Sequence, residues 1–178
     1  VLFERFEFLP ALRFQRTSFL FEEPLANHLE DPVFIRYSSG TTGQSKGVVI
    51  GHQSVYDRIE GANELLNLKP GEVVLWVLPM AFHFVVSIVL YLRFGAAIAI
   101  ARDFLADTII ECAERNRATL LYASPMHLRL IANHPESVDI SSIHTVISTS
   151  TAISTEEIQR FTAKTGKPVS QAYGIIEI

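Results

Sequence analysis

From residue 33 onward, short apolar runs alternate with segments of helical length, and this alternation constrains the fold more than any other feature of the chain. Residues 33–37, 48–50, 73–78, 96–101, 119–123, 143–148 and 169–173 read as strands. Residues 52–66 read as a helix closed by the turn Lys69-Pro70-Gly71, and residues 84–93 as a helix stopped at Gly95. Asp107 is expected to cap a helix through Asn116, with Ile109, Ala113 and Asn116 on one side. Ser124-Pro125 supplies a cap and a proline at the first helical position for a helix to Asn133. Ser154-x-x-Glu157 is a capping box for a helix to about Lys164. Strands and helices in turn imply an α/β fold, with a largely parallel sheet and helices on both its faces.

The stretch 73–101 invites a different reading. Only His83, Ser87 and Arg93 are clearly polar in it, and a hydropathy window would flag a membrane span. Pro79 and Gly95 nevertheless divide it into strand, helix and strand lengths, and parallel strands covered on both faces are apolar throughout. The reading adopted is no membrane span.

Composition narrows the class. The 178 residues suffice for one domain with a sizeable core, and 48% apolar against 19% charged residues excludes disorder. A net charge of −4 argues against a nucleic-acid partner. Cys112 is the single cysteine, which rules out an internal disulfide and a zinc pattern around it; it reads as a helix-face residue of a cytoplasmic protein. The remaining histidines, His28, His52, His127, His134 and His144, lack metal-ligand spacing and read as structural or surface residues. Both ends of the chain look cut, so a fragment is expected. Residues 1–32 form an aromatic-rich lead-in and loop, with Phe3, Phe6, Phe8, Phe14, Phe19 and Phe21 in no clean period and a packing partner expected elsewhere. Residues 33–178 form the α/β unit.

The chemistry is concentrated in Tyr37-Ser38-Ser39-Gly40-Thr41-Thr42-Gly43-Gln44-Ser45-Lys46-Gly47, set between Val33-Phe34-Ile35 and Val48-Val49-Ile50. Its glycines allow close backbone approach to a ligand, its hydroxyls and amides offer donors, and Lys46 adds a mobile charge. Such a loop suits phosphate. It is not a Walker A loop, which ends in Gly-Lys-Ser/Thr where this chain has Ser45-Lys46-Gly47. Gly40 and Gly43 are also spaced wrongly for a dinucleotide fingerprint.

The run resembles the signature loop of the adenylate-forming (AMP-binding) superfamily, which includes acyl- and aryl-CoA synthetases, luciferases and peptide-synthetase adenylation domains. The family pattern is roughly S-S/G-G-T/S-T-G-x-P-K-G, and only Ser45 departs from it, standing where proline is usual. Leu78-Pro79-Met80-Ala81-Phe82-His83, followed by Leu92-Arg93-Phe94-Gly95-Ala96-Ala97, resembles the fourth core motif of the same family. Gln171-Ala172-Tyr173-Gly174-Ile175-Ile176-Glu177 resembles the fifth, commonly Q-x-Y-G-x-T-E. Ser148-Thr149-Ser150-Thr151-Ala152-Ile153 occupies the place of an S-G-G-A-P-L adenine-side loop, and Arg102-Asp103 stands at the basic position used for CoA.

The resemblance implies the large N-terminal domain of an adenylate-forming enzyme. Its full-length form would activate a fatty or aryl acid with ATP and Mg²⁺ to an acyl-adenylate, then pass the acyl group to CoA. Carried over by motif, Ser38, Ser39, Gly40, Thr41, Thr42, Gly43 and Lys46 would hold the β- and γ-phosphates, with Thr41 and Lys46 among the catalytic groups. His83 would line the acyl pocket. Ser150, Gln171, Ala172, Tyr173, Gly174 and Ile176 fall at nucleotide-binding positions, with Tyr173 stacking on adenine, and Glu177 would hold Mg²⁺. Ile176 replaces a threonine whose hydroxyl contacts phosphate, which implies weakened nucleotide binding. No acid follows His83 to hold an α-amine, so a plain carboxylic acid is favoured over an amino acid. A carrier-protein acceptor and a non-catalytic nucleotide-binding relative remain as alternatives. A ribose-binding aspartate and the C-terminal domain's lysine are not in the chain, so the fragment alone is expected to be inactive.

Overall fold

The apolar runs condense into two sheets. The structure, a computed structural model, describes residues 31–38 and 46–174, the side chains of residues 38, 46, 81, 82, 85 and 86 aside. The aromatic lead-in through residue 30, the loop 39–45 and residues 175–178 lie outside the described residues.

Strands β1 (Pro32–Ser38) and β2 (Lys46–Gly51) pair antiparallel as a hairpin, with Ser38 opposite Lys46 and Tyr37 opposite Gly47. Helix α1 (His52–Leu66) follows at once. It ends where Asn67 turns left-handed, at φ 51°, and the Asn63 side chain accepts the Leu68 N–H at 2.8 Å.

Strands β3 (Val73–Trp76), β4 (Ala97–Ile100), β5 (Leu120–Ala123), β6 (Thr145–Ser148) and β7 (Ser170–Gln171) form a wholly parallel sheet in the order β4-β3-β5-β6-β7. The chain steps from β3 outward to β4, then crosses back over β3 to begin β5. Helices α4 (Ala106–Asn116), α5 (Pro125–Ala132) and α6 (Thr155–Thr165) make the later crossovers. Alternation along each strand sorts the core into two layers. Leu75, Leu121, Ala123 and Val146 point toward Ile109, Ala113, Leu128, Ile131 and Phe161 of α4–α6. Val74, Trp76, Leu120 and Ile147 point the other way, toward Val55, Ile59, Ile88, Leu90 and Tyr91. Parallel strands buried on both faces are the reason the strand segments read as unbroken apolar runs.

Several expected boundaries move. Strand β3 stops at Trp76, whose indole N–H donates to the Leu78 carbonyl at 2.6 Å, turning the chain before Pro79. The following helix begins at Met80 rather than at residue 84. It runs as α2 (Met80–His83), a π-helical turn (Phe84–Ile88) and α3 (Val89–Arg93), with the Val89 N–H reaching back to the Phe84 carbonyl. Proline supplies no side-chain cap, but its fixed φ of −58° suits the entry into a helix. The membrane reading fails on the same geometry: no helix among the described residues is long and apolar enough to cross a membrane.

Asp107 does not cap α4. Leu105 occupies that position without a side-chain bond, and Asp107 Oδ1 pairs instead with His134 Nε2 at 2.7 Å. Asn116 is exposed, not on the buried side with Ile109 and Ala113; its amide folds back onto the Cys112 carbonyl. The capping box at Ser154 forms as expected, the Glu157 carboxylate accepting the Ser154 N–H at 2.9 Å and Ser154 Oγ the Glu157 N–H at 3.2 Å. Ser124 caps α5 through a second box with His127.

Candidate active site

In an open α/β sheet, ligands bind outside the carboxyl ends of the strands where the strand order reverses. Here that point lies between β3 and β5, and both strands end there in aromatic residues. Trp76 is the last residue of β3 and Tyr122 the penultimate residue of β5; their register pairing stacks the two rings 5.7 Å apart and 9° from parallel. His83 stands edge-on to both, 5.6 Å from Trp76 and 6.0 Å from Tyr122. Tyr91 closes the back of the group at 6.1 Å from Trp76. Pro79 and the α2 start that it dictates are what carry His83 over this aromatic wall.

The charges around the wall are positive. Burial, and then the Arg36 charge, hold the His83 imidazole below its ordinary pKa, so at neutral pH the ring is uncharged. Arg36 comes from β1, two residues before Ser38, and Phe34 of the same strand lies 6.0 Å from Phe84, the residue after His83. Arg58 of α1 is half-buried and its pKa is lowered, first by that burial and then by Arg36, with Tyr122 opposing. An arginine remains a cation regardless. A side-chain carbon at Gly174 would lie 3.7 Å from an Arg58 guanidinium nitrogen, which places that guanidinium at the outlet of β7. Opposite, the Tyr122 hydroxyl donates to Thr149 Oγ1 at 3.3 Å, just past β6. Ser148 Oγ is buried with no hydrogen-bond partner.

The structure brings some of the expected site residues together. Ser38 and Lys46 face each other at the hairpin's end, and His83 lies on the wall. Gln171 and Ala172 lead away from β6, the Ala172 N–H donating to the Ser148 carbonyl at 2.8 Å. Tyr173 is 88% exposed, its ring open to a stacking partner, and Gly174 is beside Arg58. Ser150 is exposed with a left-handed backbone, φ 76°, a conformation that suits the glycine usual there. Arg102 is spent on an exposed ion pair with Asp103 at 3.5 Å. Ser39, Gly40, Thr41, Thr42, Gly43, Ile176 and Glu177 lie outside the described residues. The motif reading missed Trp76, Tyr122, Arg36 and Arg58. A period-2 reading of the strands pairs the two aromatics on one face, and helical spacing from Val55 turns Arg58 toward the sheet.

The AMP-binding enzyme family model matches residues 5–178. The chain belongs to that family. Among its relatives, 4-coumarate–CoA ligase 2 of Oryza sativa subsp. japonica is 34% identical over 157 residues, covering 83% of this chain and 28% of the relative. 4-coumarate-CoA ligase 1 of Narcissus pseudonarcissus is 33% identical over 159 residues, covering 84% of this chain and 29% of the relative. The chain therefore spans less than a third of the curated relatives it matches. Among solved structures, a malonyl-CoA ligase with methylmalonyl-CoA and AMP bound superposes with a TM-score of 0.73 at 25% identity, over 81% of this chain and 33% of that one. The inhibitor-bound N-terminal domain of FACL13 from Mycobacterium tuberculosis gives 0.72 at 25% identity, over 86% and 39%. The fold is that of the N-terminal domain of adenylate-forming enzymes, as the loop and the strand–helix alternation imply.

Proposed function

We propose that the full-length protein activates a fatty or aryl carboxylic acid with ATP and transfers the acyl group to CoA, working in the cytoplasm. The observation that carries this reading is one juxtaposition. The hairpin that ends in Ser38 and Lys46, on either side of the Gly-Thr-Thr-Gly sequence, packs next to the helix that carries His83 into the aromatic cluster, Phe34 of β1 lying 6.0 Å from Phe84. The acid's carboxylate attacks the α-phosphorus and pyrophosphate leaves; a thiolate then attacks the acyl carbon and AMP leaves. Such displacements call on a protein chiefly to position groups and neutralise charge.

In this reading Lys46 and the loop donors hold the β- and γ-phosphates, and the partly exposed Tyr122 and His83, backed by the buried Trp76, meet the acyl body. The uncharged His83 packs at the reacting end, where a cation would pair with the carboxylate and blunt its attack. Magnesium would be bound by Glu177 together with the nucleotide's own phosphates, and it would neutralise charge on the departing pyrophosphate. Among the described residues there is no group of three side chains able to hold a metal. Mg²⁺ is often held by phosphates and one or two carboxylates rather than by an all-protein cage. The ligase names of the relatives favour a CoA acceptor over a carrier protein, and an active enzyme over a silent nucleotide binder.

The test is acid-dependent exchange of labelled pyrophosphate into ATP by the full-length protein, with and without Lys46→Ala. Exchange that needs an acid and falls at least tenfold in the variant is expected. ATP cleaved to ADP and phosphate without any acid would sink the proposal.

A further inference from the structure

Outside the aromatic cluster, one set of charged side chains ties the three crossover helices together. His134 lies one residue past Asn133, the C-cap of α5. Its side chain is only 11% exposed, yet both ring nitrogens meet oxygen atoms. Nε2 faces Asp107 Oδ1 of α4 at 2.7 Å, and Nδ1 faces the Glu136 carbonyl at 3.4 Å. Lys164 of α6 donates to the carbonyls of both His134 and Glu136, each at 2.6 Å. The charged groups around His134 are therefore Asp107 from α4, Glu136 from its own loop and Lys164 from α6.

Carboxylate and carbonyl oxygens only accept, so each ring nitrogen needs a proton to make its bond. A neutral imidazole carries one N–H and serves one of the two acceptors; the imidazolium serves both. The Asp107 hydrogen bond, then the Glu136 carbonyl and the charges of the two carboxylates, raise the His134 pKa above 6.5 against the effect of burial. Each charge also stands at the favourable end of its helix, the cation beyond the C-terminus of α5 and Asp107 in the first turn of α4. Helix α4 starts without a side-chain cap, because Leu105 occupies that position. Just before it, Asp103 bonds within its own loop, to the Leu105 N–H at 2.9 Å and to Arg102. The Asp107–His134 pair ties this helix start to the loop between α5 and β6.

We propose that Asp107, His134 and Lys164 form a pH-sensitive clasp, closed when His134 is charged, that sets how readily the first turn of α4 and residues 101–105 before it open. Its contribution is complete below pH 6.5 and is lost as pH rises through the higher folded value. Lys164 holds the His134 loop through main-chain carbonyls whatever the state of the ring, so the release falls on α4. The clasp does not depend on the ligase reading.

The experiment follows amide hydrogen exchange by mass spectrometry on the full-length protein at about pH 6 and about pH 8, corrected for intrinsic exchange rates. The reporting peptide spans residues 101–112, in which the Ile109 N–H bonds to the Leu105 carbonyl at 3.0 Å. Exchange at the histidine C2 position gives the His134 pKa in the same samples. At least threefold lower protection of that peptide is expected at the higher pH, with protection around Phe161 of α6 unchanged. Asp107→Asn, at a side chain 87% exposed, should return the His134 pKa toward 6.5 and leave protection low at both pH values. His134→Gln keeps a donor for Asp107 and does not titrate, so its protection should not vary with pH. The asparagine variant carries the test if the glutamine variant does not fold. Equal protection of wild type at both pH values overturns the proposal. So does a His134 pKa at or below 6.5, or a pH dependence that survives in both variants.

Discussion

Replacing Trp76 by phenylalanine tests the aromatic wall and the turn that sets His83 in one substitution. Trp76 is 2% exposed, and its indole N–H donates to the Leu78 carbonyl at 2.6 Å. Phenylalanine keeps a ring facing Tyr122 but removes that donor, leaving the Leu78 carbonyl buried without this partner. An orphaned buried acceptor costs about 1–3 kcal/mol. The smaller ring adds a cavity against Tyr122, His83 and Tyr91, with complete truncation to alanine, at about 3–5 kcal/mol, as the upper bound. The expected loss is therefore about 3 kcal/mol, read by urea denaturation of the full-length protein followed by circular dichroism. Because Leu78 leads through Pro79 into α2, the variant should also lower acid-dependent pyrophosphate release by more than its loss of folded population explains. A stability loss below about 1 kcal/mol with unchanged turnover would refute the claim that this hydrogen bond fixes the turn before His83.

Ser154→Ala removes the acceptor of the Glu157 N–H at the start of α6 and should cost about 1 kcal/mol in the same denaturation assay. Gly95→Ala forces a side chain into φ 73° with its Cβ 3.1 Å from Pro70 Cγ; a loss of about 1–3 kcal/mol is expected, and thermal melting checks it. His127 is buried, its Nδ1 faces Ser124 Oγ at 2.7 Å, and burial lowers its pKa. The folded form thus binds fewer protons than the unfolded chain, and His127 contributes stability that is present above pH 6.5 and lost as pH falls toward its lower folded value. His134, raised by Asp107, acts in the opposite direction. His127→Gln keeps a capping partner without titrating, so its stability should decline less than wild type between about pH 7.5 and 5.5; parallel declines would contradict the assignment.

The architecture was legible because each of its determinants is local. Strands buried on both faces must be apolar throughout, and helices need caps that sit within three residues of their start. Thus the parallel sheet, α1, and the Ser124 and Ser154 caps could be read directly. The Gly-Thr-Thr-Gly run could be singled out for the same reason, since its donors and glycines are contiguous between two strands. Asp107 was misplaced because its partner, His134, is distant in sequence, and no local pattern tells a cap from a tertiary ion pair. The π-helical turn was equally invisible, since no local pattern in Phe84–Ile88 marks it, although Ser87 and Ile88 within it are buried.

By itself the sequence determined the family and the layer pattern, because each is written in runs of adjacent residues. Only the tertiary structure decided which side chains meet at the carboxyl ends of β3 and β5. Strand order, which local periodicity does not encode, stacks Trp76 on Tyr122 across β3 and β5. The same packing brings Arg36 from the hairpin within electrostatic reach of Arg58 on α1, and burial, then the Arg36 charge, lowers the pKa of His83.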